Sequence, residues 1–325
     1  MNPSILSVKD VHVEFRVNQT KAWPWSAPGI VRAVNGVSFD LQPGKTLGIV
    51  GESGCGKSTL IRAIAGLAPM TGGTVHLDGQ PIDYGSKTKL QNLRRQLQMI
   101  FQDPIASLNP RMTIREIVAE PLIYFRPDLS SIDRTNAARD MLDRVGIADH
   151  QFNRFPHEFS GGQCQRIGIA RALVAKPRVL LCDEPVSALD VSIQAQVINL
   201  LKDLQSELSL SLIFVAHDLG VVRHISDDIL VMYLGGMMET APAGRLIEAP
   251  HHPYSQALLS AVPVPDPRAK STPQVLEGDL PSPLEQQQGC LFQSRCPKRF
   301  DACKTTRPSL EATPDGKSAC LLAGS

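Results

Sequence analysis

Gly51-Glu52-Ser53-Gly54-Cys55-Gly56-Lys57-Ser58 stands between a short apolar run, Thr46 to Val50, and a helix-like stretch from Leu60 to Leu67. Glycines at this spacing ahead of Lys-Ser, between a strand and a helix, read as a phosphate-binding loop. They let successive backbone N–H groups turn inward as an anion nest, reinforced by the positive end of the following helix. Lys57 is expected to reach the β- and γ-phosphates of a nucleoside triphosphate, and the Ser58 hydroxyl to ligate Mg²⁺. Gly51, Ser53, Gly54, Cys55, Gly56, Lys57, Ser58 and Thr59 are therefore the candidate nucleotide-binding residues. The loop identifies a triphosphate site but not what its energy drives.

Working outward, Val179 to Cys182 is a continuous apolar run that ends on Asp183 and Glu184. Asp183 is placed to hold Mg²⁺, directly or through water, and Glu184 to polarise an attacking water. Leu210 to Ala216 is a second such run; segments apolar on both faces suit buried parallel strands. Ile193, Val197, Leu200, Leu201, Leu204 and Leu208 share one stripe at helical spacing. Val8 to Phe15 alternates as a strand. The fold class expected is α/β, a mostly parallel sheet covered by helices. Past about Ala241 prolines become frequent (Pro242, Pro250, Pro253, Pro263, Pro265, Pro267) and periodicity fades, which predicts a boundary between residues 1–240 and 241–325.

Bulk properties narrow the function classes. Of 325 residues, 42% are hydrophobic and 20% charged, a balance that can bury a sizeable core. A net charge of +1 gives no reason to expect nucleic acid or an anionic membrane surface as partner. No uncharged apolar run reaches the length of a bilayer span, and the first fifteen residues do not read as an export signal. A cytoplasmic protein is the expectation, with any membrane association made through partner chains.

Phe159-Ser160-Gly161-Gly162-Gln163, upstream of Asp183-Glu184, resembles the signature sequence of ABC ATPases. Gln102, after the apolar run Leu97 to Phe101, resembles that family's Q-loop glutamine. Ser187-Ala188-Leu189-Asp190 resembles its D-loop, and His217 its switch histidine. These ordered elements span most of residues 5 to 240. The resemblance implies antiparallel N-terminal strands beside the parallel core and a helical subdomain at about residues 103–170. It also implies a site shared between two subunits, with Ser160, Gly161, Gly162 and Gln163 offering donors to a nucleotide held by the opposite subunit. Phe15 matches the aromatic residue that stacks on adenine. Glu184, His217 and Gln102 take the catalytic roles, Gln102 also sensing Mg²⁺. Two departures stand out: Phe159 replaces the usual leucine, and Cys164 follows where arginine is usual.

Within that family the chain resembles ATPase subunits of oligopeptide/dipeptide importers. Gly51 to Thr59, Phe101 to Pro110, Glu184 to Val191, His252-Pro253-Tyr254, Leu280-Pro281-Ser282-Pro283 and Gly289 to Pro297 carry the likeness, as does the insertion containing Trp23 and Trp25. It implies a second, paralogous ATPase subunit, two transmembrane permease subunits and a solute-binding protein, at the cytoplasmic face of the bacterial cell membrane. Another solute (nickel, glutathione or a sugar) is the alternative, ahead of a non-transport ABC ATPase. Cys55, Cys164 and Cys182 are scattered, whereas Cys290, Cys296, Cys303 and Cys320 cluster near the end. In a reducing compartment clustered thiols favour metal. The resemblance implies a [4Fe–4S] cluster there; structural Zn or unligated thiols are the alternatives.

Overall fold

The computed structural model describes residues 4–17, 29–261, 278, 281–282, 284–285 and 287–322. Trp23, Trp25, Pro263, Pro265, Pro267, Leu280 and Pro283, all singled out above, lie outside them. Along the chain come β1 (Leu6–Val17), β2 (Gly29–Leu41), β3 (Thr46–Val50), α1 (Lys57–Ile64), β4 (Gly72–Leu77), β5 (Gln80–Pro81), α2 (Lys87–Gln96) and β6 (Leu97–Ile100). Next are α3 (Ile114–Phe125), α4 (Ser131–Arg144), α5 (Gly161–Leu173), β7 (Val179–Asp183), α6 (Val191–Leu208), β8 (Ser211–Ala216), α7 (Leu219–Ile225) and β9 (Asp228–Tyr233). The chain closes with β10 (Gly236–Pro242), α8 (Ala243–Glu248), α9 (Pro253–Ser260), α10 (Ala302–Thr305), β11 (Glu311–Thr313) and β12 (Gly316–Ser318). Contacts divide it into two units: Met1–Ile5, Gln42–Thr46 and Ile82–Val215 form the first; Leu6–Leu41, Leu47–Pro81 and Ala216–Ser325 the second.

In the first unit β6, β7 and β8 run parallel, with Leu97 beside Val179 and Val179 beside Ser211. Every residue of β7 and β8 is buried, which is why their sequences do not alternate. α6 buries Val197, Leu201 and Leu204 of the stripe read from its sequence, with Ile198 beside them, while Ile193, Leu200 and Leu208 are half-buried. α3 packs against α4 and α5, burying Ile114, Ile117, Val118 and Leu122. Capping boxes start all three: Thr113 with Glu116, Ser130 with Asp133 and Ser160 with Gln163.

In the second unit β2, β1, β4 and β5 form an antiparallel sheet. β3 pairs parallel to β9, and β9, β10, β12 and β11 continue antiparallel. The α/β class and the antiparallel N-terminal strands are as expected. Two details differ. The first helix begins at Lys57, three residues before the apolar stretch, because it grows directly out of the glycine loop, and it ends at Ile64 before Gly66 turns left-handed at φ +69°. The last forty residues are less irregular than their composition indicates: β12 extends the sheet through β10, which itself runs across the composition shift near residue 241. Among the described residues no helix is long and apolar enough to cross a membrane.

α9 explains an otherwise opaque motif. His252 caps the helix by accepting the Tyr254 N–H on Nδ1 (3.0 Å), and Pro253 occupies the first turn, where no N–H is needed. The buried Glu239 carboxylate accepts the His251 and His252 N–H groups at 2.8 and 2.9 Å. Burial lowers the pKa of His252 to about 4, against a weaker opposing hydrogen bond to Ala319. The unfolded chain therefore binds the extra proton between about pH 6.5 and 4, and stability falls as pH drops through that window. Going from pH 7 to 5 should cost about 2 kcal/mol from this residue alone. Denaturant titrations at the two pH values check it; His252→Asn, which can still cap, should flatten the dependence.

Candidate nucleotide site

The loop between β3 and α1 holds its shape through its glycines and one buried lysine. Gly51 (φ +155°), Gly54 (φ +79°) and Gly56 (φ +105°) adopt backbone that side chains rarely take. Space reinforces this at two of them: a Cβ at Gly56 would lie 2.0 Å from the Ala33 carbonyl oxygen, and one at Gly51 2.2 Å from that of Met232. Gly56→Ala should therefore cost about 2 kcal/mol of stability and weaken nucleotide binding about tenfold, read by thermal melts with and without ATP. Gly56 offers α1 no side-chain cap, leaving the helix entrance to backbone groups.

Lys57 is only 4% exposed, and its ammonium donates to the Gly51 and Glu52 carbonyl oxygens at 2.7 and 3.0 Å. Cys55 Sγ stands 3.8 Å from the same nitrogen; burial pushes this thiol's pKa up while Lys57 pulls it down. Ser53 and Gly54 are exposed at the loop tip; Ser58 and Thr59 are half-buried in the first turn of α1. Phe15, on β1 opposite Val31, is 38% exposed. His217 follows β8 and is exposed.

The acidic pair belongs to the other unit. Asp183 ends β7 fully buried, and Glu184 follows in left-handed backbone (φ +45°), its N–H donating to Val215 O at 3.1 Å. Ser187 Oγ donates to the Glu184 carbonyl oxygen at 3.0 Å, holding the turn closed. Gln102 Nε2 donates to Glu184 Oε2 at 3.0 Å, bringing together two candidate catalytic residues eighty-two positions apart. At α5 the Ser160 hydroxyl accepts the Gln163 N–H, and Gln163 Oε1 accepts the Ser160 N–H. Gly162 is required by space, since a Cβ would meet Ile193 Cγ2 at 2.6 Å. Cys164 is fully buried, its thiol donating to the Pro156 carbonyl oxygen (3.5 Å). Phe159 is buried at the entrance to the same helix.

Sequence reasoning missed three residues around the loop. Tyr254 Oη accepts the Glu52 N–H at 2.9 Å, and Arg295 donates to Glu52 Oε2 at 2.7 Å. Glu52 lies within the glycine loop but outside the residues expected to bind nucleotide. The sequence signals were the His252-Pro253-Tyr254 motif and the Gly289 to Pro297 stretch that contains Arg295, both part of the family likeness and neither with a stated role.

Cys290, Cys296, Cys303 and Cys320 line one small cavity with His252, Phe292 and Phe300. Burial raises the Cys290 and Cys296 thiols, and the neighbouring thiols of the set add to the rise. Cys290 N–H donates to the Cys303 carbonyl oxygen at 2.9 Å, tying two of the four together. All seven cysteines are free thiols, and among the described residues no three Cys, His or acidic side chains stand close enough to hold a metal ion.

Residues 34–187 match the family model of the ABC transporter, and residues 238–303 that of the oligopeptide/dipeptide transporter C-terminal region. Over 319 residues the chain is 52% identical to the oligopeptide transport ATP-binding protein OppF of Salmonella typhimurium, covering 98% of this chain and 96% of that one. The chain belongs to the ABC transporter family. It is 49% identical to the di/tripeptide transport ATP-binding protein DppF of Pseudomonas aeruginosa, over 89% of this chain and 90% of that one. Among solved structures it resembles the dimeric cassette MJ0796, a bacterial ABC transporter cassette, at a TM-score of 0.64 and 29% identity, over 73% of this chain and 98% of that one. The same cassette bound to ADP and Pi matches equally well. As a member of the ABC transporter ATPases, this chain binds and hydrolyses ATP.

Proposed function

We propose that this chain is an ATPase subunit powering import of dipeptides or oligopeptides, working at the cytoplasmic face of a cell membrane. The observation that carries this is the near-full-length identity to peptide-transport ATP-binding proteins, which extends through the C-terminal region beyond the ATPase cassette. Its partners are a second, paralogous ATPase subunit, two transmembrane permeases and a solute-binding protein.

In this reading Gly51 and Ser53 to Thr59 cradle the phosphates and Phe15 stacks on adenine. Ser58, Asp183 and Gln102 would hold Mg²⁺, whose charge offsets that of the β- and γ-phosphates. Ser160 to Gln163 present hydroxyl and backbone donors to the nucleotide on the opposite subunit. Glu184, oriented by Gln102 and His217, takes a proton from water as the water oxygen bonds to the γ-phosphorus. The β–γ bridging bond breaks and ADP leaves with its electron pair. Closure of the two subunits is favourable only with ATP between them, so hydrolysis reopens the pair and resets the permeases.

The four terminal cysteines are read as ligands of a [4Fe–4S] cluster. What supports this is that all four line one cavity and that a Cys₄ set is the usual ligation of such a cluster, Zn²⁺ being the alternative. Such a group would remove the repulsion among deprotonated thiols.

Purification of the tagged chain from its own cells, with partners identified by mass and ATPase measured with and without peptide-loaded binding protein, tests the reading. Co-purifying permeases and peptide-stimulated turnover are expected. A complex without permeases, or one indifferent to peptide, would overturn it.

A further inference from the structure

Glu52 has each of its polar parts engaged by another residue of the second unit. Its carbonyl oxygen accepts from Lys57 at 3.0 Å, its N–H donates to Tyr254 at 2.9 Å, and its carboxylate pairs with Arg295 at 2.7 Å. Two of those three partners lie more than two hundred residues away, in the region that follows the ATPase cassette. Neither is a loose surface contact. The Arg295 side chain is 10% exposed and Glu52 27%, so solvent screens their pairing weakly. Tyr254 is fully buried.

The presenting segment is rigid for visible reasons. Phe292 packs edge-on against Tyr233 (ring centroids 5.4 Å apart) and at a tilt against Tyr254 (5.2 Å). Arg295 N–H donates to the Phe292 carbonyl oxygen at 3.1 Å, so the arginine is set by the residue that anchors the cluster. Burial disfavours the Arg295 charge, yet Glu52 and the nearby Tyr233 hydroxyl outweigh it and raise the net pKa. A charge held in a largely buried place by one carboxylate is a fixed strut.

We propose that Arg295 and Tyr254 are positioning residues of the nucleotide site, holding Glu52 and, through its carbonyl oxygen, Lys57. This rests on the reading of Gly51 and Ser53 to Thr59 as the phosphate cradle. Their effect is on how much of the loop's population already has binding geometry, which enters affinity directly.

The test uses the full chain and displacement of a fluorescent ATP analogue. Arg295→Met and Glu52→Gln are each expected to weaken ATP binding about tenfold, and Tyr254→Phe about fivefold. The double variant Glu52→Gln/Arg295→Met should match either single change, because both remove the same link. In the assembled complex, turnover of Arg295→Met and Tyr254→Phe at saturating ATP should stay within about twofold of the parent, a split that general misfolding does not produce. Thiol and iron content, measured alongside, should be unchanged, so that the loss is not routed through Cys296. Unaltered affinity in Arg295→Met, or additive losses in the double variant, would overturn the proposal. If Arg295→Met fails to fold, Glu52→Gln and Tyr254→Phe carry the test by the same criteria. Failure of the parent chain to bind the analogue would instead remove the cradle reading.

Discussion

Glu184→Gln is expected to lower ATP turnover by roughly two to four orders of magnitude while leaving ATP binding close to that of the parent chain. The substitution is nearly isosteric, so the contacts that set the local backbone survive it. Glu184 pays a conformational cost at φ +45°, held by its N–H bond to Val215 and by the Ser187 hydroxyl on its carbonyl. Glutamine keeps the same backbone contacts. Its amide oxygen can still accept from Gln102, which stands 3.0 Å away. What disappears is the negative charge able to take a proton from water. Since closure of the paired subunits depends on bound ATP and reopening on its hydrolysis, the variant should accumulate as a closed, ATP-loaded complex. Single-turnover phosphate release and size-exclusion chromatography in ATP read the two halves of the prediction. Parent-like phosphate release would remove Glu184 from the role of base.

Much of this architecture is legible in the sequence because the central strands are buried on both faces. Val179 to Asp183 and Ser211 to Ala216 have no solvent side, so their residues form unbroken apolar runs whose ends are easy to place. The glycine loop is legible for a related reason: positive φ and contacts as close as the Ala33 carbonyl leave Gly56 no substitute. Where a residue's identity is dictated by local backbone, the sequence displays it.

The parts that escaped depend on partners distant along the chain. Glu52 and Arg295 are 243 positions apart, and nothing near either one signals the other. β12 is three residues long, too short for any periodicity, and exists because β10 offers it an edge. The cysteine spacing likewise gave no close pair, yet folding delivers all four thiols to one cavity. The start of α1 was hidden by its polar first turn, Lys57-Ser58-Thr59, whose residues serve the loop ahead of them rather than an apolar face.

Lys57→Ala should weaken ATP binding by about a hundredfold or more and abolish measurable hydrolysis at millimolar ATP. The ammonium is already desolvated, 4% exposed and held at 2.7 Å from Gly51 and 3.0 Å from Glu52 by carbonyl oxygens. An arriving triphosphate exchanges those neutral acceptors for anionic ones, and a charge-assisted bond is roughly twice as strong as a neutral one. Truncating one member of a buried charged pair commonly costs about 2–5 kcal/mol, about thirtyfold to several thousandfold in affinity. Alanine also removes the lysine's bond to the Gly51 carbonyl oxygen, while that of Glu52 keeps the Cys55 N–H at 3.2 Å, so the empty loop should loosen and the chain should melt slightly earlier. Lys57→Arg separates charge from shape. It keeps the positive charge, but the planar guanidinium is too wide for a slot bounded by Gly51, Glu52 and Cys55. Arginine is therefore expected to fail nearly as badly as alanine in equilibrium binding of ATP. Restoration of parent affinity by arginine would show that the site needs only a cation nearby, and that the narrow geometry of this loop is incidental to its grip on phosphate.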